Sequence, residues 1–583
     1  MESKHLWACL ALGMGTLWSA CTPTENKGDV PPLSDLDQIK ANITAEIRQK
    51  GLLSTPSEKM LMSGELVTDK PYQIFQNPPE IRAMDGELDT ELRVAYANHQ
   101  VYNIGDKAAR EVRLRNYNGS IVGPTLRLNL GDAMKVHMVN ALGTGHGECN
   151  PMEGGMHHMN HGNGDPCDQI DSTRFNITNL HTHGWHISPS GNADNVLVEI
   201  EPGCDFNNAY ELSEDHAPGT FWYHAHVHGA TAIQVSSGMG GALIVNGGLD
   251  TIPAIAEAKE QIMVFQQIPY LAAPDTLLPN GDSLYQVEDF SSSFGPGTWN
   301  TGTESHGWRT TINGQTYPII YMKSGEVQRW RMIHAGVRET LNLMLDGHPI
   351  HMIAQDGIAM GEMVAADSVE LEPGYRVDAL IKAEKVDSAT IYYLTDGEMV
   401  GIEGLQALPE SPKVLAVVIV SPEEMDMPLP TQAELAPLVP YQPITEAEVE
   451  PYPVQEVKFN IDTGSSTTCF TINGKPFSMD NPPRLLTLNT ANTWKLTSGR
   501  ANHPYHIHVN HFQVISDISP EGDTLLFEKP YWKDTYLVRQ DHVVTIRSRY
   551  TDFDGTFVLH CHLLDHEDEG MMELVKIVPD VQP

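Results

Sequence analysis

An all-β protein of three tandem β-sandwich domains is the architecture the sequence predicts, and three observations predict it. Apolar and polar residues alternate with period two, as on half-buried strands. Met134, Val136 and Met138 alternate with Lys135 and His137, Trp330 and Met332 with Arg329 and Arg331, and Trp494 and Leu496 flank Lys495. Turn residues interrupt these runs at short intervals, as sandwiches and barrels require. An internal repeat then sets the domain count. Asn118-Gly119 precedes Pro124 and a strand to Leu130, Asn313-Gly314 precedes Pro318 and a strand, and Asn473-Gly474 precedes Pro476 and another. Each step is the length of one β-domain.

The elements follow in chain order. Residues 6–20 are an apolar run after Lys4 and His5 that ends in small residues and is too short to span a bilayer. Residues 1–21 therefore read as a secretory signal. Ser19-Ala20-Cys21 resembles the tail of a bacterial lipobox, with Trp18 where that pattern usually has Leu. Cys21 would then be a lipid-bearing N-terminus. Residues 22–90 read as a polar tether with one short helix near 36–53. The β-domains follow at 91–250, 251–421 and 454–583, with an extended Pro-rich connector at 422–453. No later segment is long and apolar enough to cross a membrane. The expectation is an exported monomer in the periplasm, or a lipoprotein on the outer membrane or cell surface of a bacterium.

Composition narrows the function. With 37 Lys and Arg against 76 Asp and Glu, the formal charge of −39 excludes nucleic acid and anionic lipid as direct partners. Seven cysteines in 583 residues are too few for a disulfide scaffold. There is no P-loop and no nucleotide-binding Gly fingerprint after a strand. His566-Glu567 lacks the second His of a zinc protease motif. The unusual figure is 26 histidines, many in tight pairs.

Two segments repeat closely. Gly219-Thr220-Phe221-Trp222-Tyr223-His224-Ala225-His226, followed by Gly238-Met239, matches Gly555-Thr556-Phe557-Val558-Leu559-His560-Cys561-His562, followed by Gly570-Met571. His181-Thr182-His183 likewise matches His506-Ile507-His508, which sets His503 opposite Thr178. The third domain alone carries Cys561, His566 and His503 in these frames.

On a strand, residues i and i+2 share a face and the residue between them points away. Four His-x-His pairs thus present eight imidazoles as four forks, two from the first domain and two from the third. Their interface is the expected site. The closest histidine pair of the middle domain is His348 and His351, at i,i+3, which does not make a fork. Eight imidazoles exceed what one metal uses, so a multinuclear centre is implied. By the same alternation Cys561 turns to the opposite face. With His503, His566 and Met571 it makes two imidazoles, a thiolate and a thioether, the ligand set of a blue-copper site. Zinc is disfavoured by the thioether and by the lack of any Cys-x-x-Cys. A lone His-x-His on a strand is usually solvent-facing or a satisfied core pair, and Met571 alone is ordinary core. The bland reading does not explain all of them in register.

These segments resemble the four copper motifs of multicopper oxidases: His181-Thr182-His183-Gly184, His224-Ala225-His226, His503-Pro504-Tyr505-His506-Ile507-His508, and His560 to His566 followed by Gly570-Met571. The resemblance runs from about residue 92 to 578. It implies three cupredoxin domains and four copper ions. The type 1 copper would be held by His503, Cys561, His566 and Met571. His181 and His506 would hold the type 2 copper. His183, His224, His226, His508, His560 and His562 would hold the type 3 pair. The implied reaction is four one-electron oxidations of a reductant coupled to reduction of O2 to water. A copper-sequestering protein on this fold would have lost cluster ligands, and none is missing. A copper nitrite reductase would need only two such domains.

Water formation consumes four protons, so carboxylates are expected near the cluster. Glu567 matches a position that laccase-like bacterial enzymes use for proton delivery, and Asp194 resembles the acidic residue near the type 2 copper. A solvated surface carboxylate is the alternative for both. The electron donor stays open among phenols, aromatic amines and the ions Cu(I), Fe(II) and Mn(II), with a laccase-like activity on organic donors favoured.

Two further expectations concern residues 143–169. Setting aside Cys9, Cys21 and Cys561 leaves four cysteines, which an exported protein can pair in three ways. The preferred pairing is Cys149–Cys167 across the local loop and Cys204–Cys469 between domains. Between Cys149 and Cys167 lie Met152, Met156, His157, His158, Met159 and His161, without hydrophobic period. Thioether and imidazole suit copper, and the segment resembles the Met-rich insertions of cuprous oxidases. It reads as an accessory copper loop with a side role in copper handling, or as an incidentally His-rich surface loop.

Overall fold

Each Asn-Gly pair of the repeat closes a tight hairpin turn. Asn118, Asn313 and Asn473 have φ of 53°, 55° and 53°, and the glycines that follow have 79°, 73° and 75°. Both central residues are left-handed, the type I′ geometry that Asn-Gly adopts at least cost. Each Asn Oδ1 then accepts from a backbone N–H: Arg93 at 2.8 Å, Val264 at 2.8 Å and Lys458 at 3.0 Å. The repeat is therefore one structural device used three times.

The computed structural model describes residues 73–101, 110–143, 149, 165–271, 276–277, 283–286, 306–397, 413–450, 453–464 and 467–579. Across them the strands form three pairs of sheets, each of one six-stranded and one five-stranded sheet. The protein is thus all-β, with three sandwiches of the cupredoxin type. In the first, Glu80–Arg82, Thr125–Asn129, Gly240–Asn246, Gly219–His224 and His181–His183 make the five-stranded sheet, with His181–His183 at its edge. In the third, Arg484–Thr487, Met572–Val578, Gly555–Cys561, His503–Ile507 and Thr535–Val538 make its counterpart. Each sandwich has its own core, built around Trp185, Trp330 and Trp494 respectively.

A further apolar cluster joins all three. Trp222 and Ile233 of the first sandwich, Ile262 and Ile333 of the second, and Leu564 of the third pack together, all fully or nearly buried. Burial of each such aliphatic side chain contributes roughly 1.5–3 kcal/mol. This cluster holds the first and third sandwiches face to face.

Several expectations change. β pairing begins before residue 90, within the expected tether: Ile74 bridges Ile319 of the middle sandwich, and Glu80–Arg82 pairs with Thr125–Arg127 of the first. Ser283–Gln286, beyond residue 250, pairs in parallel with Val112 and Arg113 of the first sandwich. Arg329 and Arg331, on the polar side of an alternating strand, are buried. That face meets the first sandwich at Asp250 and Thr220; Arg331 pairs with Asp250 and with Glu260 and Asp378 on the strands beside it, and Arg329 with Asp250 and Asp378. The connector includes helical turns at Gln432–Leu435 and Ala436–Leu438. The leader 1–21 with Cys21, the helix near 36–53 and the residues Met152, Met156, His157, His158, Met159 and His161 lie outside the described residues. No helix of the described residues is long and apolar enough to cross a membrane.

The disulfides are a correction. They join Cys149 to Cys204 and Cys167 to Cys469, with sequence separations of 55 and 302, and neither expected pair forms. The chain entering the loop runs beside Cys204, whose carbonyl accepts from Asn140 N–H at 2.9 Å. The chain around Cys167 lies against the third sandwich, where Gln169 Nε2 donates to the Phe477 carbonyl at 3.5 Å. Releasing the longer cross-link in a Cys167→Ser/Cys469→Ser variant is expected to cost about 2–5 kcal/mol. Guanidinium unfolding of the variant beside the parent checks this, and coincident midpoints would contradict it.

Candidate metal centre

The two repeated strand pairs have the same register. His181 lies opposite His224 in the first sandwich, and His506 lies opposite His560 in the third. Placing one sheet against the other brings all eight imidazoles together. His181 stacks on His508 with ring centroids 3.8 Å apart, and His183 on His506 at 3.9 Å. His226 Nε2 comes to 3.1 Å from His560 Nε2, and His562 Nε2 to 3.2 Å from His183 Nδ1. All eight are buried. Burial, reinforced by neighbouring imidazoles, pushes seven of the eight far below the usual histidine range or to about 3, and burial alone takes His560 to about 4. Neutral imidazoles are the state that binds metal.

The ring orientations test whether copper fits. His224 Nδ1 donates to the Ala225 carbonyl at 2.8 Å, His506 Nδ1 to the Asp534 carbonyl at 2.8 Å, and His560 Nδ1 to the Cys561 carbonyl at 2.9 Å. Each bond fixes the tautomer that leaves a lone pair on Nε2. Among the described residues His181 Nε2, His224 Nε2, His506 Nε2, His508 Nδ1 and His562 Nδ1 have no hydrogen-bond partner. Buried polar atoms are rarely left so. Groups such as His181, His506 and His508, or His226, His508 and His560, bring their ligand atoms within 4.8 Å of one another. The donor set suits more than one copper.

On the opposite face of the Gly555–Cys561 strand, Cys561 Sγ is 3.4 Å from His503 Nδ1 and 3.9 Å from His566 Nδ1, and the two nitrogens are 3.3 Å apart. Met571 is buried in the same core, and its backbone closes the site. Its N–H donates to the His566 carbonyl at 2.9 Å and its carbonyl accepts from Cys561 N–H at 3.1 Å. Cys561 is the one free cysteine among the described residues. Burial pushes its thiol well above the usual range, and it is the thiolate that serves as a metal ligand.

Both expected carboxylates are at the cluster, in different roles. Asp194 Oδ2 is 3.0 Å from His181 Nδ1, and its Oδ1 accepts from Thr182 N–H at 2.8 Å. It orients a ring, and burial raises it to about 7. Glu567, on the short helix Leu564–Asp568, is fully buried with Oε1 3.7 Å from His226 Nδ1. Thr231 Oγ1 donates to Oε1 at 3.3 Å, while Oε2 has no partner among the described residues. Burial, and the charge of Asp568 beside it, pushes Glu567 well above the usual carboxylate range.

Sequence reasoning missed several residues. Asp534 Oδ1 is 3.2 Å from His183 Nε2, and Thr535 Oγ1 lies 3.2 Å from the same nitrogen and 3.1 Å from His506 Nδ1. Asp568 accepts from the N–H groups of Gly229, Thr231 and Ala232 at 2.7–3.1 Å, tying the helix that carries His566 to the first sandwich. Val509, directly after His508, has φ of 69° and spans a backbone bond from Asn510 N–H to the His508 carbonyl of 2.7 Å. A β-branched residue in that conformation is strained. None of these lies in a repeated motif, so only the third dimension reveals them.

Comparison with known proteins agrees with this geometry. Multicopper oxidase family profiles match residues 172–249, 259–417 and 450–581. A multicopper oxidase of Staphylococcus aureus is 22% identical over 477 residues, covering 79% of this chain and 83% of that protein. A laccase of Bacillus stratosphericus is 23% identical over 513 residues, covering 80% and 91%. A multicopper oxidase of Campylobacter jejuni, a metallo-oxidase, shares the fold with a TM-score of 0.63 at 20% identity, over 87% of this chain and 95% of that one. Spanning most of the described chain in order, these matches show that the protein belongs to the multicopper oxidase family and is a copper oxidoreductase that uses O2.

Proposed function

We propose that the chain holds four coppers and works as a laccase-like oxidase. The type 1 copper would sit on His503, Cys561, His566 and Met571, and the type 2 copper on His181 and His506. The type 3 pair would take His183, His224, His226, His508, His560 and His562. The observation that carries the reading is the convergence of eight buried imidazoles from two sandwiches, with Nε2 of His181, His224 and His506 left without a hydrogen-bond partner among the described residues. The sandwiches at 91–250 and 454–583, the first extended back to Glu80, bear the copper, and 251–421 does not. Bound copper supplies one-electron chemistry, oxidising the donor and reducing O2. The chain does the rest. Cys561 lies one peptide bond from both His560 and His562, a short covalent route between the two centres. Glu567 holds a proton on a buried carboxyl beside His226. Asp194 and the carbonyls of Ala225, Asp534 and Cys561 fix ring orientation. Oxygen uptake with a phenol or an aromatic diamine tests the reading: four donor molecules oxidised per O2 consumed is expected, and no uptake with either donor would overturn it.

The metallo-oxidase reading has one observation in its favour. Cys469 is bonded to Cys167, downstream of the Met- and His-bearing segment, and its neighbour Phe470 lies with its ring centroid 4.7 Å from that of His566, the rings tilted by 34°. The sequence placed this insertion in the first domain and so away from the type 1 site. The cross-link ties Cys167, which follows the segment, beside that site. Deleting residues 152–161 is therefore expected to lower Cu(I) oxidation several-fold more than phenol oxidation, in side-by-side oxygen uptake. Equal loss of both, or loss of neither, would remove the segment from the substrate question. The secretory leader, a lipid on Cys21 and a periplasmic or cell-surface location belong to the same proposal. Mass analysis of the exported N-terminus checks the lipid.

A further inference from the structure

The middle sandwich has no copper motif, yet it reaches the imidazole cluster through one side chain. Arg376, on the strand Arg376–Lys382, is fully buried where the three sandwiches meet. Its guanidinium forks onto Asp534 of the third sandwich, Nη1 to Oδ1 at 2.8 Å and Nη2 to Oδ2 at 2.5 Å. Two further N–H groups donate to the Gly374 carbonyl at 2.9 Å and, from the first sandwich, the Thr220 carbonyl at 3.3 Å. Such a fork fixes the plane of a carboxylate as well as its position.

Asp534 passes this constraint to two imidazoles. Its Oδ1 lies 3.2 Å from His183 Nε2 and accepts from Thr535 Oγ1 at 2.8 Å, and its backbone carbonyl accepts from His506 Nδ1 at 2.8 Å. Held through Nε2, His183 turns Nδ1 toward His562 and the cluster. With both carboxylate oxygens engaged by the Arg376 guanidinium, Asp534 is held facing His183 as an acceptor. Asp356, also of the middle sandwich, braces the pair through Lys533 Nζ at 3.0 Å and through the backbone N–H groups of Asp534 and Thr535 at 3.3 Å each. Gly374 completes the wall. A Cβ there would stand 3.0 Å from the His562 ring, at a backbone φ of 90°.

We propose that Arg376 is a positioning residue for the trinuclear copper site, acting through Asp534 on His183 and His506. In this role the copper-free middle sandwich sets the geometry of a centre whose ligands all come from the other two. The proposal rests on the assignment of the eight histidines to that centre. Partners that orient metal-bound imidazoles typically change metal affinity about 10- to 100-fold.

Two variants test it. Arg376→Lys keeps the charge and loses the fork. The double variant Arg376→Met/Asp534→Asn removes both charges, so no unpaired ion is left buried. Each is loaded with copper and examined by copper analysis during chelator competition, by the type 2 electron paramagnetic resonance signal, and by the blue thiolate band of the Cys561 site as an internal control. The expected result in both is an intact blue band with a shifted type 2 signal and cluster copper lost at about 10- to 100-fold lower chelator concentration. A type 2 signal and chelator resistance equal to the parent's would overturn the proposal. So would parallel loss of the blue band, or failure to fold, in both variants, which would make the pair a general structural element. Absence of cluster copper in the parent would instead overturn the assignment beneath it.

Discussion

Cys561→Ser abolishes the intense blue thiolate band and turnover with every donor, while most of the remaining copper stays bound. The expectation follows from the placement of the thiol. Cys561 Sγ is the only sulfur of a free cysteine among the described residues, and it faces His503 and His566 while its strand neighbours His560 and His562 face the other way. Serine keeps the strand and both histidines but offers a hard, weakly acidic oxygen in place of a soft thiolate. Electrons then have no entry, and activity falls by orders of magnitude without loss of fold. Visible absorption, copper analysis and oxygen uptake on one preparation check all three statements. A blue, active variant would contradict the assignment.

Glu567→Gln slows O2 reduction by about 100-fold or more, within the range that loss of a positioned proton donor costs. Reduction of the blue site by donor stays close to the parent rate. The two half-reactions separate because only one consumes protons. Glu567 is sealed from solvent, 3.7 Å from His226 Nδ1, with Thr231 on one oxygen and none among the described residues on the other. Glutamine preserves shape and the Thr231 contact but carries no acidic proton. Stopped-flow mixing with donor under anaerobic conditions, then with O2 after reduction, resolves the two rates. Equal rates in both phases would remove Glu567 from proton supply.

What the sequence could reveal follows from where each constraint lies. The imidazole forks are a property of strand period, so His181, His183, His506 and His508 were legible, as was the opposite-facing Cys561. The Asn-Gly repeat was legible because one turn geometry demands those residues. Asp534 was not, since its importance arises only where Arg376 and His183 meet it across two interfaces. Arg329 and Arg331 alternate as surface residues do, and only the apposed carboxylates of Asp250, Glu260 and Asp378 explain their burial. The cysteine pairing was beyond reach for a related reason. Four thiols allow three pairings, and the choice is made where Cys149 lies beside Cys204 of the first sandwich and Cys167 beside Cys469 of the third. Asp194 was found by resemblance, but its contact with His181 comes from a loop that doubles back.

The central claim is that two sandwiches jointly build a multinuclear copper site beside a separate thiolate site. Copper counting tests it most directly. Metal analysis of the loaded chain, paired with electron paramagnetic resonance, is expected to give four coppers per chain. One should carry the type 1 signal, one the type 2 signal, and two should be silent as a coupled pair. In Cys561→Ser the type 1 signal should vanish while the type 2 signal remains. A chain that binds a single copper, or whose type 2 signal disappears with Cys561, would contradict the account.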